Sequence, residues 1–273
     1  MGNGQQGGVR MPGKVYLVGA GPGDPELLTV KAARLLRTAN AVLHDDLVPR
    51  EILALAPASA RVHNVGKRCG AKHATQEEIN TQLIAYAREG LIVVRLKGGD
   101  PLIFGRAREE MEALRDAGIE FEVVPGVTAA LSAAAAAQIP LTDRRLASKL
   151  LFYSNHQCAG KTSRGLREAI SQDMTVVVYM PGESLDELAS ELRGGGLEGR
   201  TPCVVVSCAA RSEQQIHRTT LQELSRAPRW RAPALLIIGA AAAIPAAMEA
   251  GERIAEEFAA VLTLADEPPI QNA

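Results

Sequence analysis

Val15-Tyr16-Leu17-Val18-Gly19-Ala20-Gly21-Pro22-Gly23-Asp24-Pro25 is the stretch on which the fold turns. Its first four residues carry no charge and read as a strand covered on both faces, ending in a run of glycines. Glycines at such a turn permit positive φ and let backbone N–H groups approach a ligand. One reading is the first turn of a Rossmann-type NAD-binding dehydrogenase, with Asp45 standing where the ribose-binding acid of that fold would sit. Against it, Pro22 and Pro25 occupy places where that turn needs free amides and a helix start. Position 24 is Asp, where the third glycine of Gly-x-Gly-x-x-Gly belongs.

Outward from this turn, short apolar runs alternate with longer segments of helical period, the pattern of an α/β protein. A helix is expected over residues 26–38 and a strand over 41–44. Thr75 and Glu78 form a capping-box pattern ahead of Ile79, Leu83 and Ala87, which fall on one helical face. Residues 91–96, without polar alternation until Arg95, predict a strand that runs into Lys97-Gly98-Gly99-Asp100-Pro101. A helix over 107–117 and a strand over 121–124 follow, and Pro125-Gly126 breaks the chain. The alanine-rich run 129–137 predicts a helix whose small side chains admit close neighbours. Further strands are expected near 150–153, 175–179, 203–207 and 234–238, with a capping box at Ser184 and Glu187 and a terminal helix over 246–260. The expected organisation is a loose tail (1–13), an N-terminal α/β domain (14–126), a C-terminal α/β domain (127–243), and a terminal helix with a frayed tail (244–273).

Composition narrows the function classes. The 273 residues are 47% hydrophobic and 22% charged, which excludes wholesale disorder and fibrous repeats. A net charge of -1 gives no global pull toward nucleic acid, and four Phe, four Tyr and one Trp leave few platforms for stacking bases. No stretch reaches the ~18 apolar residues of a membrane span and no signal-type segment opens the chain, so a soluble, cytoplasmic protein is expected. Cys69, Cys158, Cys203 and Cys208 form no C-x-x-C pair, which suggests neither a zinc knuckle nor a disulfide framework.

Five segments taken in order carry more than any one of them. They are the turn 18–25, His44-Asp45-Asp46-Leu47-Val48, Val65-Gly66-Lys67-Arg68, the run 95–106 (Arg95-Leu96-Lys97-Gly98-Gly99-Asp100-Pro101-Leu102-Ile103-Phe104-Gly105-Arg106), and Val124-Pro125-Gly126-Val127-Thr128-Ala129. Together they resemble the tetrapyrrole methylases, and within them the branch acting on uroporphyrinogen III. The resemblance runs from Lys14 to about Ala240, dense in the first half and looser in the second. It implies two α/β domains with an S-adenosylmethionine site in the cleft between them, no metal, and a homodimer. It also implies successive methyl transfers to C2 and C7 of uroporphyrinogen III, giving precorrin-1, then precorrin-2 for sirohaem or cobalamin synthesis, with S-adenosylhomocysteine as by-product. A methyltransferase acting on a later precorrin is the near alternative.

The resemblance also assigns residues. Pro22, Gly98, Gly99, Asp100, Ile103, Thr128, Ala129, Met180 and Ala209 match positions around the cofactor, with Met180 near the adenine. Glycine at 98 and 99 allows backbone contact, and the Asp100 carboxylate suits the cationic methionine end; Asp before Pro also commonly starts a turn. Ile103 and Met180 equally suit plain core packing. Asp45 and Lys67 match the pair to which proton transfer is assigned, though Asp45 also fits simple substrate orientation and Lys67 a carboxylate anchor. Arg106 and Arg144 match arginines near the substrate, whose eight carboxylates suit guanidinium forks. Glu109 matches an acceptor for pyrrole N–H groups. The chain departs from the family pattern at Asp46, at Asp143-Arg144-Arg145, at Ser154-Asn155-His156 and at Ser207-Cys208-Ala209-Ala210.

Overall fold

The computed structural model describes residues 13–68, 71–72, 74–155, 164–182, 185–228 and 230–243, and for Lys67, Arg68, Ala71, Lys72 and Arg164 the backbone alone. The expected tail before residue 13, the terminal helix and tail, Ser184 of the second capping box, His156, Cys69 and Cys158 lie outside the described residues.

In chain order the first half comprises β1 (Lys14–Gly19), α1 (Val30–Thr38), β2 (Ala41–His44), α2 (Arg50–Leu53), β3 (Arg61–Asn64), β4 (Lys67–Arg68), β5 (Ala71–Lys72), α3 (Gln76–Arg88), β6 (Ile92–Lys97), α4 (Ala107–Asp116) and β7 (Phe121–Val124). Its main sheet is parallel throughout, in the order β3-β2-β6-β1-β7, while β4 and β5 pair separately. The order removes the dehydrogenase reading, because a Rossmann sheet sets its second strand beside its first and here β6 lies between them.

The helix expected over 26–38 is two elements. A 3-10 turn, Pro25–Leu27, is capped by Asp24, whose Oδ1 accepts from the Glu26 amide at 2.8 Å. Leu28 and Thr29 then take extended backbone, and the Thr29 hydroxyl caps α1 by accepting from the Ala32 amide at 3.1 Å. Two caps so close together leave no continuous helix between them. The capping box at Thr75 is present in both directions, and Ile79, Leu83 and Ala87 are the buried face of α3.

Side-chain alternation along β6 divides the first core. Val94 and Leu96 pack with α1 and α2 residues such as Leu36 and Ile52. Val93 faces the other way, toward Leu83 of α3 and Leu114 of α4. With a period of two, Arg95 and Lys97 share the Val93 face, which puts two cations under α3 and α4.

The second half comprises α5 (Ala129–Ala137), β8 (Lys149–Ser154), α6 (Arg164–Ala169), β9 (Met174–Tyr179), α7 (Leu185–Gly194), β10 (Pro202–Ser207), β11 (Gln215–Thr220) and β12 (Ala234–Ile238). Its sheet runs β11-β10-β12-β9-β8, with only β8 and β9 parallel. One face packs on Leu185, Leu188, Ala189 and Leu192 of α7. The other packs on Ala130, Ala133, Ala134 and Ala137 of α5, whose small side chains let the helix lie close over Val177, Val204 and Ile237. No helix among the described residues is long and apolar enough to cross a membrane.

Candidate active site

Loops leaving β1, β6 and β7 meet main chain against main chain. Gly21 and Gly99 exchange backbone hydrogen bonds, the Gly21 amide to the Gly99 carbonyl at 3.1 Å and the reverse at 2.8 Å. Both need left-handed φ, +70° and +68°. A Cβ on Gly126 would stand 2.3 Å from the Gly99 carbonyl oxygen, so the β7 turn reaches its place only as glycine. At Gly98 the side-chain direction is open, with only Leu47 Cβ within 4 Å, at 3.6 Å. A cradle closed by glycines below and opened by a glycine above fits a ligand lying on bare backbone, as the cofactor reading of Gly98 and Gly99 requires.

Asp100 ties these loops together. Its Oδ1 accepts from the Leu102 amide at 2.8 Å and its Oδ2 from the Gly126 amide at 3.0 Å. The carboxylate starts the turn after β6 and also fastens that turn to the one after β7.

The second half closes over this floor. The Tyr179 hydroxyl, at the end of β9, pairs with Thr128 Oγ1 at 2.6 Å and accepts from the Ala130 amide at 3.3 Å. Thr128 therefore gives its hydroxyl to Tyr179 and makes no side-chain cap on α5. Phe104 meets the Tyr179 ring edge-on, 5.0 Å between centroids. Burial pushes the Tyr179 phenol above its ordinary pKa. Ile103 and Ala129 pack on the apolar cluster that contains Ala209. Ile103 thus makes an apolar contact across the junction. Met180 stands half-exposed at φ +49°, while Cys208 and Ala210 flank Ala209 at φ +51° and +56°. Left-handed backbone at non-glycine residues is strained, and such strain gathers at functional loops.

A buried charge array lies beneath Asp45. Arg95 Nη2 donates to Asp45 Oδ1 at 2.5 Å and Arg95 Nε to Glu110 Oε1 at 2.9 Å. Lys97 Nζ donates to the same Glu110 oxygen at 2.8 Å. Glu110 is fully buried on α4, Arg95 and Lys97 nearly so, while Asp45 keeps a third of its side chain exposed. Burial, and then the neighbouring Arg95, holds Lys97 below the usual lysine pKa. Glu110 Oε2 has no hydrogen-bond partner among the described residues. Arg95, Lys97 and Glu110 are absent from the residues that the resemblance assigns. The signal was present in two cations spaced two apart on an apolar strand, which demand a buried anion.

Other expected residues fall less centrally. Arg106, at φ +56°, forms a two-bond fork with Glu109, Nε to Oε1 at 2.8 Å and Nη2 to Oε2 at 2.5 Å. The two groups expected to receive substrate hold each other instead, both about half-exposed. Arg144 is exposed on the turn closed by the Asp143–Ala147 bridge. Among the described residues no hydrogen bond or ion pair joins Arg144 to the loops above. Lys67 lies on β4 opposite Lys72, and its side chain is outside the described residues. Among the described residues no group of three His, Cys, Asp or Glu side chains is placed to hold a metal ion.

Residues 14–225 match the family of tetrapyrrole (corrin/porphyrin) methylases. The chain belongs to that family. A Methanosarcina barkeri S-adenosyl-L-methionine-dependent uroporphyrinogen III methyltransferase is 44% identical over 232 residues, 83% of this chain and 91% of the relative. The chloroplastic enzyme of the same description from Arabidopsis thaliana is 44% identical over 244 residues, 86% of this chain but only 65% of the relative's length. Among solved structures, the Thermus thermophilus uroporphyrin-III C-methyl transferase complexed with S-adenyl homocysteine is 42% identical, with a TM-score of 0.73 over 84% of this chain and 98% of that one. A cobalt precorrin-4 methyltransferase superposes with a TM-score of 0.78 at 31% identity, over 85% of this chain and 96% of that one. The two sheets, and the junction of loops between them, are thus those of a tetrapyrrole methylase.

Proposed function

We propose that the chain methylates uroporphyrinogen III at C2 and C7, giving precorrin-2 by way of precorrin-1. The observation that carries the reading is the glycine floor at Gly21, Gly98, Gly99 and Gly126, roofed by Thr128 and Tyr179 and flanked by Asp45. The 44% identity to an archaeal uroporphyrinogen III methyltransferase across 91% of its length supports the same reading. Bound S-adenosylmethionine supplies a methyl already activated by its sulfonium. The protein's task is then alignment, which can remove on the order of 7–11 kcal/mol of barrier.

In this reading Pro22, Gly98, Gly99, Asp100, Ile103, Thr128, Ala129, Met180 and Ala209 surround the cofactor. Asp45 accepts the proton that the methylated ring loses, or orients that ring, and Lys67 donates a proton or anchors a substrate carboxylate. Arg106 and Arg144 take substrate carboxylates and Glu109 a pyrrole N–H; for Arg106 and Glu109 that means exchanging their mutual fork for substrate. Residues 14–126 and 127–243 act as the two lobes of a cytoplasmic homodimer's subunit. The rival reading, methylation of a later precorrin, draws on the superposition with the cobalt precorrin-4 enzyme. Incubating the pure protein with methyl-labelled S-adenosylmethionine and either uroporphyrinogen III or, in parallel, a later precorrin separates them. Two labelled methyls per macrocycle are expected; label entering only a later precorrin overturns the assignment.

A further inference from the structure

The loop after β10 sends one side chain across to the first half. Arg211 Nη2 donates to the Leu47 carbonyl at 2.6 Å, and Arg211 Nε to the Pro22 carbonyl at 3.3 Å. Leu47 is the third residue of the turn Asp45–Val48, where the Val48 amide returns to the Asp45 carbonyl at 3.2 Å. Pro22 follows the Gly19-Ala20-Gly21 turn. One guanidinium therefore spans the loops after β1 and β2, which are not adjacent in the sheet because β6 separates their strands. A flat fork with donors on separate nitrogens can bridge two carbonyls in a way that a point-charge ammonium cannot.

The surroundings are shaped for this reach. Gly23 leaves room for the arginine stem, since a Cβ there would stand 2.8 Å from Arg211 Cγ. On the donor side, Cys208 and Ala210 both hold left-handed backbone although neither is glycine. The strained turn is secured by the Cys208 amide on the Pro233 carbonyl at 2.8 Å, the Ala210 amide on Gln214 Oε1 at 2.9 Å and the Arg211 amide on the Cys208 carbonyl at 3.1 Å. Strain persists only where the surroundings over-determine it. Here it aims Arg211 away from its own sheet.

We infer that Arg211 is a positioning residue, a clasp between the halves that holds the Pro22 loop and the Asp45 turn at fixed spacing. The inference rests on the proposed function in that Pro22 is read as meeting the cofactor and Asp45 the substrate. Arg211 belongs to neither core, so its replacement leaves both sheets intact.

The test pairs an equilibrium measurement with a kinetic one. Calorimetric titration of the wild-type chain and of Arg211→Ala with S-adenosylhomocysteine should show about tenfold weaker binding in the variant, the scale of one charge-assisted hydrogen bond. Methyl transfer should show a matching fall in kcat/KM. Arg211→Lys, which keeps the charge but reaches one carbonyl, should fall between. Gly23→Ala should weaken binding in the wild-type background and by much less beside Arg211→Ala. A lower melting temperature with unchanged ligand affinity and kcat/KM would make Arg211 structural only and overturn the inference. Failure of the wild-type chain to bind S-adenosylhomocysteine would instead refute the proposed function.

Discussion

Arg95 and Asp45 form an ion pair, 2.5 Å from Nη2 to Oδ1, whose cation is buried and whose anion keeps a third of its side chain exposed. Register explains it. Leu43 of β2 lies beside Arg95 and His44 beside Leu96, so Asp45 leaves the sheet just past the arginine and its own amide bonds the Leu96 carbonyl at 3.0 Å. The arginine fixes one carboxylate oxygen from below. Replacing Asp45 by Asn should lower kcat at least tenfold, as loss of a proton acceptor does, with S-adenosylhomocysteine affinity nearly unchanged. Steady-state kinetics beside calorimetry decides, and a variant that retains full kcat would remove Asp45 from proton handling.

Glu110 is the shared anion for Arg95 and Lys97, so Glu110→Gln leaves two buried cations facing one carboxylate. Breaking a buried ion pair from one side costs about 3–5 kcal/mol. Urea unfolding should show a loss of that order, and a loss under 1 kcal/mol would mean that the array relaxes or hydrates.

Lys97 gives the array a pH signature. Its folded pKa lies below 10.5, so between the two values the unfolded chain binds the proton more tightly than the folded one. Stability then rises with pH through that window and levels off above the unfolded lysine pKa. Urea midpoints across the alkaline range should show this rise in the wild type and lose it in the Lys97→Met/Glu110→Gln pair, which removes both charges together. An identical slope in the two proteins would assign the alkaline behaviour to other groups.

Arg106 is expected to act on substrate. Arg106→Ala should raise the KM for uroporphyrinogen III about tenfold or more, the scale of a lost guanidinium–carboxylate fork. Affinity for S-adenosylhomocysteine should change little. The reverse pattern would move Arg106 out of the substrate site.

Cys203 supplies a reporter for the second sheet. Burial pushes its thiol up to about 12, and it is nearly inaccessible inside β10. Iodoacetamide at pH 8 should leave it unlabelled in the folded protein and label it once urea exceeds the unfolding midpoint, with peptide mass spectrometry as the readout. Rapid labelling of the native protein would show that this strand opens locally.

Much of the fold was legible because apolar strands and capped helices announce themselves locally. The strands Ala41–His44, Phe121–Val124 and Ala234–Ile238 and the helix Ala129–Ala137 have the bounds their residues predict. β3 and β11 escaped because both are edge strands: Arg61–Asn64 and Gln215–Thr220 are largely polar and face water, so neither shows an apolar run. At the site, the glycine turns and the Asp-Pro turn start at Asp100 were legible locally, while their assignment to a cofactor came from the resemblance carried by the five ordered segments. The contacts of Tyr179 and Arg211 were not, since each partner lies far away along the chain.

By itself the sequence determined the alternation of strands and helices, the glycine turns and the family to which they belong, because those depend on neighbours within a few residues. The tertiary structure alone decided that β6 slides between β1 and β2, that Glu110 binds both Arg95 and Lys97, and that Arg211 crosses to Pro22 and Leu47. Strand order and buried charge pairing join residues distant in sequence, and only burial makes an unpaired cation costly enough to fix its partner.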